Sequence, residues 1–194
     1  MHMQTKLISR YWLLACAALL LPLTATQALA GTNPSATGTL TVTATVTSSI
    51  QLEFNTGSGG VTLTGANTNA ATLAFGPLSA YGTAPSNVTI SNSSTLCSNC
   101  FVASTPISLI VNQADGSSSN FTLTAYASAP TSGEVLAVGS SGALSTSSGT
   151  PTTITSTGSY GSGGNTLPVY LGIPTATGNN TGLSDTINFV ATAN

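Results

Sequence analysis

The chain has 194 residues, of which 41% are hydrophobic and 3% charged, with a formal net charge of −2. Both basic residues, Lys6 and Arg10, and the single histidine, His2, fall in the first ten positions. Everything beyond them lacks a cation for nucleic-acid phosphate, an imidazole for a Ser-His-Asp or Cys-His nucleophile, and an amine for a Schiff base.

Residues 1–30 read as an export signal. Lys6 and Arg10 form a basic start, Tyr11 to Leu21 is an unbroken apolar run, and Ala28-Leu29-Ala30 supplies a small-residue cleavage site before Gly31. The run is short for a membrane span, which needs about 20 apolar residues. Only five residues separate Arg10 from Cys16, too few for a lipoprotein signal cut at that cysteine. The expectation is a secreted chain with no stable membrane anchor.

The remaining 164 residues contain 57 Thr or Ser and all 20 Gly. Thr favours strands, while Ser and Gly punctuate turns. Between Gly38 and Phe54 the even positions Leu40, Val42, Ala44, Val46, Ile50, Leu52 and Phe54 are apolar, and the odd positions carry hydroxyls, Gln51 and Glu53. Period two of this kind gives a strand one greasy face and one polar face. Seventeen residues at about 3.3 Å each would span roughly 55 Å, too long for one ordinary strand. The Ser48-Ser49 pair divides the segment, leaving residues 50–54 as a first strand. One bent strand, or two paired strands of the same chain, is the alternative reading.

Further strands are expected at residues 61–63, 72–75, 87–91, 107–112, 120–127, 134–138, 152–155, 166–173 and 186–193, separated by turn signals such as Asp115-Gly116. Many short strands with Gly-rich turns argue for an all-β sandwich or barrel. Residues 139–164 collapse to Ser, Thr and Gly, and read as a long surface excursion with one edge strand. In the last strand Ile187, Phe189 and Ala191 alternate, close to Asn194. A sheet that ends there leaves an apolar edge open to another chain.

Few residues could carry chemistry. Cys97-Ser98-Asn99-Cys100 is a C-x-x-C motif; in an oxidising compartment it reads as a structural disulfide closing a tight loop. A redox role would need a βαβ setting that the pattern does not offer. Glu53, Asp115, Glu134 and Asp185 are the only acids, and each falls at a position commonly solvated: a polar strand face, a turn, the residue after a turn glycine, a strand start. No catalytic pair, metal site or cofactor site is expected from them.

Several segments, in order, resemble the secreted pilins of the archaic chaperone–usher type, the group that includes spore coat protein U-like domains. They are the Thr/Val alternation of residues 39–46, Leu73-Ala74-Phe75-Gly76, Asn87-Val88-Thr89-Ile90, Thr105-Pro106-Ile107-Ser108-Leu109, Val169-Tyr170-Leu171-Gly172-Ile173-Pro174 and Gly182-Leu183-Ser184-Asp185-Thr186-Ile187. The chain departs from the family at Ser48, Ser49, Ile50 and Ser91, where a cysteine pair is usual, and at Leu183, where Tyr is frequent. The resemblance implies an immunoglobulin-like β-sandwich that lacks its last strand and is completed by donor-strand exchange. Residues 31–47 would form the N-terminal extension and 48–194 the pilin domain. Thr39, Leu40, Thr41, Val42, Thr43, Ala44, Thr45 and Val46 would be the donor strand, and Ile187, Phe189 and Ala191 would line the acceptor groove. The implied partners are further copies in a head-to-tail filament on the cell surface, a periplasmic chaperone and an outer-membrane usher. A secreted carbohydrate-binding adhesin and a self-contained coat or matrix protein are the other readings. The adhesin is disfavoured by the lack of Trp after residue 30 and by a donor segment that a fibre tip does not need.

Overall fold

A computed structural model describes residues 49–92, 94–114, 116–128, 130, 132–161, 165–177 and 182–194, together with Thr41 and Thr43. Among the described residues there is no helix, and every strand pairing is antiparallel. The strands are β1 (Ile50–Thr56), β2 (Leu63–Thr64), β3 (Thr72–Leu73), β4 (Thr89–Ser91), β5 (Cys100–Gln113), β6 (Phe121–Ala127), β7 (Val135–Val138), β8 (Thr152–Gly158), β9 (Asn165–Pro174) and β10 (Ile187–Ala193). One sheet has the order β1-β5-β9-β7, with β4 also on β5; a second has the order β10-β6-β8; β2 and β3 pair only with each other.

Alternation decides which side of each strand is apolar. In β6 Phe121, Leu123, Ala125 and Ala127 are buried while the residues between them are half-buried. In β5 the register puts Leu109 opposite Phe54 and Val111 opposite Leu52, so β1 and β5 turn apolar side chains to the same face. Across the other edge of β5, Ile107 meets Leu167 and Thr105 meets Val169. These faces pack on one another. One cluster joins Ile107, Leu136, Val138 and Val169 of the first sheet to Ala125 and Ala127 of the second; another joins Leu109 and Val111 to Phe121 and Leu123.

The central strand runs through a proline. Pro106 faces Pro168 of β9, and the Pro168 carbonyl accepts from Gly139 N (2.8 Å), on the β7 side. In an antiparallel pair a residue's N and O point the same way, so 106–168 is a non-bonded pair and both missing N–H groups point away from it. For Pro106 that direction is the interval between β4, which ends opposite Ser104, and β1, which begins opposite Ile107. No ladder bond is lost there, which is where a sheet tolerates proline. The buried Thr105 hydroxyl spans the same interval, accepting from Val61 N (3.1 Å) and donating to Asn87 O (2.9 Å). Gly60 lies so close that a Cβ would overlap the Pro106 carbonyl oxygen.

Two expectations change. The strand expected at 107–112 extends back to Cys100, because Pro106 does not interrupt it. The Ser/Thr/Gly-rich stretch 139–164 is not only surface. Leu144 is buried in the core, Ile154 packs against both clusters, and β8 is the edge of the second sheet. Gly158 permits this, since a Cβ there would collide with the Phe121 ring.

Candidate functional site

The site is built on β10. The Thr186 carbonyl accepts from Ser128 N (2.8 Å), and Asn194 N donates to Asn120 O (3.2 Å). Even-numbered residues therefore spend their backbone groups on β6. The N–H and C=O groups of Ile187, Phe189, Ala191 and Ala193 consequently point to the opposite edge. Among the described residues no strand pairs with that edge. The end of the strand is held firmly on its paired side. Asn194 Nδ2 donates to Ser156 O (2.9 Å) and to Asn120 Oδ1, and the Thr122 hydroxyl donates to Asn194 Oδ1 (2.8 Å).

The apolar side chains of β10 open onto a groove. Its volume is about 1850 Å³, and Leu52 and Phe54 of β1 line it together with Ile187 and Phe189 of β10. Core residues Ile107, Leu136 and Val169 also line it. A smaller groove of about 520 Å³ continues between Ser49–Leu52 and Phe189–Ala193, sharing Leu52 and Phe189 with the first. Where the two meet, the Phe54 and Phe189 rings touch edge to face with centroids 5.3 Å apart.

The three residues expected to line an acceptor groove lie together here: Ile187 and Phe189 on the larger groove, Phe189 and Ala191 on the smaller. Of the expected donor residues, Thr39, Leu40, Val42, Ala44, Thr45 and Val46 lie outside the described residues, as does the leader at 1–30. Thr41 and Thr43 are exposed and outside any strand. Cys97 and Cys100 lie at disulfide-bonding distance, with Cα atoms 5.9 Å apart, in the turn that leads into β5.

The sequence reading missed the β1 wall, because nothing in Ile50, Leu52 and Phe54 distinguishes a strand lining a groove from one covered on its whole inner face. It also misplaced two acids. Glu134, expected in solvent, is 4% exposed. It stands two residues before Leu136, on the inward parity of β7, a signal present in Glu134-x-Leu136-x-Val138. Its Oε2 accepts from Ser132 N (2.9 Å), and its Oε1 is buried without a hydrogen-bond partner. Asp185, likewise expected in solvent, is half-buried and lines the larger groove. Burial, and secondly the Glu134 charge, push its carboxyl above the ordinary aspartate range.

Among the described residues no helix is long and apolar enough to cross a membrane. No protein-family model, curated protein or solved structure matches the chain.

Proposed function

We propose that this chain is a structural subunit of an extracellular filament, in which residues 39–46 of one copy lie along β10 of the next. The observation that carries this reading is that, among the described residues, no strand pairs with the outer edge of β10, which lies beside an open groove lined by Leu52, Phe54, Ile187 and Phe189. An inserted strand would take up the backbone groups of Ile187, Phe189, Ala191 and Ala193, and its alternate side chains would fill the groove. Leu40, Val42, Ala44 and Val46 have the period that this requires. Eight extended residues span roughly 26 Å at about 3.3 Å each, enough to run the length of a seven-residue strand.

Burying Leu40, Val42 and Val46 contributes at most about 5–9 kcal/mol, at about 1.5–3 kcal/mol each. A contact between the leading segment of one copy and the groove of another does not close on itself, so it propagates. In this reading the domain is an immunoglobulin-like sandwich missing one strand. A periplasmic chaperone protects the groove, an outer-membrane usher exports the fibre, and no cofactor or catalytic residue takes part.

The test compares the exported chain with a variant lacking residues 31–46. Electron microscopy should show filaments from the first only, and the truncated protein should take up a synthetic peptide of residues 39–46. Filaments from both, or a truncated protein that ignores the peptide, would overturn the proposal.

A further inference from the structure

β1 and β10 belong to different sheets, yet their edges confront each other. Phe54 N donates to Thr68 O (2.9 Å), and Asn67 N donates to Phe54 O (2.7 Å). The backbone groups of even-numbered β1 residues therefore point away from β5. Leu52 has the same parity, and it lines the smaller groove with Phe189 and Ala191. Across that groove, Phe189, Ala191 and Ala193 turn their own backbone groups outward. Two backbone edges thus flank one groove, and among the described residues no ladder joins them.

Cα atoms of β1 and β10 come within 8 Å of each other. A strand bonded to β10 stands about 4.7–4.9 Å from it and needs about as much again before the next backbone. It therefore asks for about 9.4–9.8 Å between its neighbours, more than the gap provides. The two edges are unbonded, but they stand too close for a strand to lie between them. The Phe54 and Phe189 rings bridge the gap edge to face, with centroids 5.3 Å apart. Phe54 packs against both core clusters, and the Asn67–Thr68 turn fixes its backbone. Its ring is thus held from the β1 side and rests on Phe189 where the two grooves meet.

We propose that this ring contact is a latch. In the single subunit it holds the edges of β1 and β10 together, and they part by at least about 1.5 Å to admit a strand. The inference rests on the strand-insertion reading and adds a moving part to it: the groove opens on entry and is not a preformed slot. A shut latch also screens the edge of β10 from chance pairing with other chains.

Pulsed electron spin resonance on the exported chain, with nitroxides on Gln51→Cys and Val190→Cys, tests it. Both sites are exposed. An excess of synthetic peptide of residues 39–46 should lengthen the mean distance by about 1.5 Å or more. Phe54→Leu keeps the groove apolar but gives up the ring contact. Phe54 is the partner to change, because Phe189 lies on the strand that receives the newcomer. Without peptide, Phe54→Leu should shift the distances to longer values. It should also take up a dye-tagged peptide about two- to tenfold faster, the worth of one aromatic pair. Bound peptide with an unchanged distance overturns the latch and leaves strand insertion standing. Unchanged distances in Phe54→Leu overturn the latch whatever the peptide does. Peptide binding to Phe54→Leu alone supports the latch, and no binding to either protein overturns insertion and the latch together.

Discussion

β5 and β10 have the same apolar alternation and opposite fates. β5 has neighbours along both edges, and its inward Leu109 and Val111 are wholly buried. Among the described residues β10 has one neighbour, and its inward Ile187, Phe189 and Ala191 remain half-buried along an open groove. A period of two therefore says that a strand has an apolar face. Whether that face is covered depends on what stands beside and above it, which alternation does not encode. The contrast also shows two ways of treating backbone groups without a partner. At β5 a short break is bridged by the Thr105 hydroxyl. At β10 every second residue is left facing outward.

The sharpest way to break this contrast is to remove one aromatic ring from each side of it. Phe121→Ala, at a residue with no exposure packed between the sheets, should cost about 3–5 kcal/mol in urea unfolding. Phe189→Ala should cost the single subunit less, about 1.5–3 kcal/mol, because that ring is only partly covered. It should nonetheless suppress filament formation. Equal losses from the two substitutions would mean that the groove side is as closed as the centre.

A smaller effect is expected at the break in β5. Thr105→Val keeps the shape but leaves Val61 N and Asn87 O without the hydroxyl, and should cost about 1–3 kcal/mol by the same measurement. Smaller still is Asn194→Ala, which removes exposed hydrogen bonds at the paired side of β10 and should cost about 0.5–1 kcal/mol. A larger loss from Asn194→Ala than from Thr105→Val would reverse the ranking of the two regions.

Much of the strand pattern was legible because alternation and turn residues agree. The stretch 50–54 became β1, 120–127 became β6 and 186–193 became β10, each within about two residues, the usual spread of strand ends. The start of β5 was hidden by Pro106, whose harmlessness depends on the spacing of β4 and β1 along the far edge. Leu144 was hidden by its Ser/Thr/Gly-rich surroundings. Its burial comes from a turn returning to β7, where Leu144 N donates to Leu136 O (2.8 Å). At the site, Ile187, Phe189 and Ala191 could be read from their period, and the inward parity of Glu134 was there to be read in Glu134-x-Leu136-x-Val138. The opposing wall could not, because it needs the two sheets to be set against one another.

The outward backbone groups of β10 give the strand a built-in reporter. Amides of Asn188, Val190 and Thr192 are engaged with β6, while those of Phe189, Ala191 and Ala193 face the open edge. In deuterated water the first set should exchange slowly and the second quickly, so protection along a single strand alternates residue by residue. Anything that lays a backbone along that edge would slow the fast set and leave the slow set nearly unchanged. The alternation itself would then record, amide by amide, how far along the strand the newcomer is zipped.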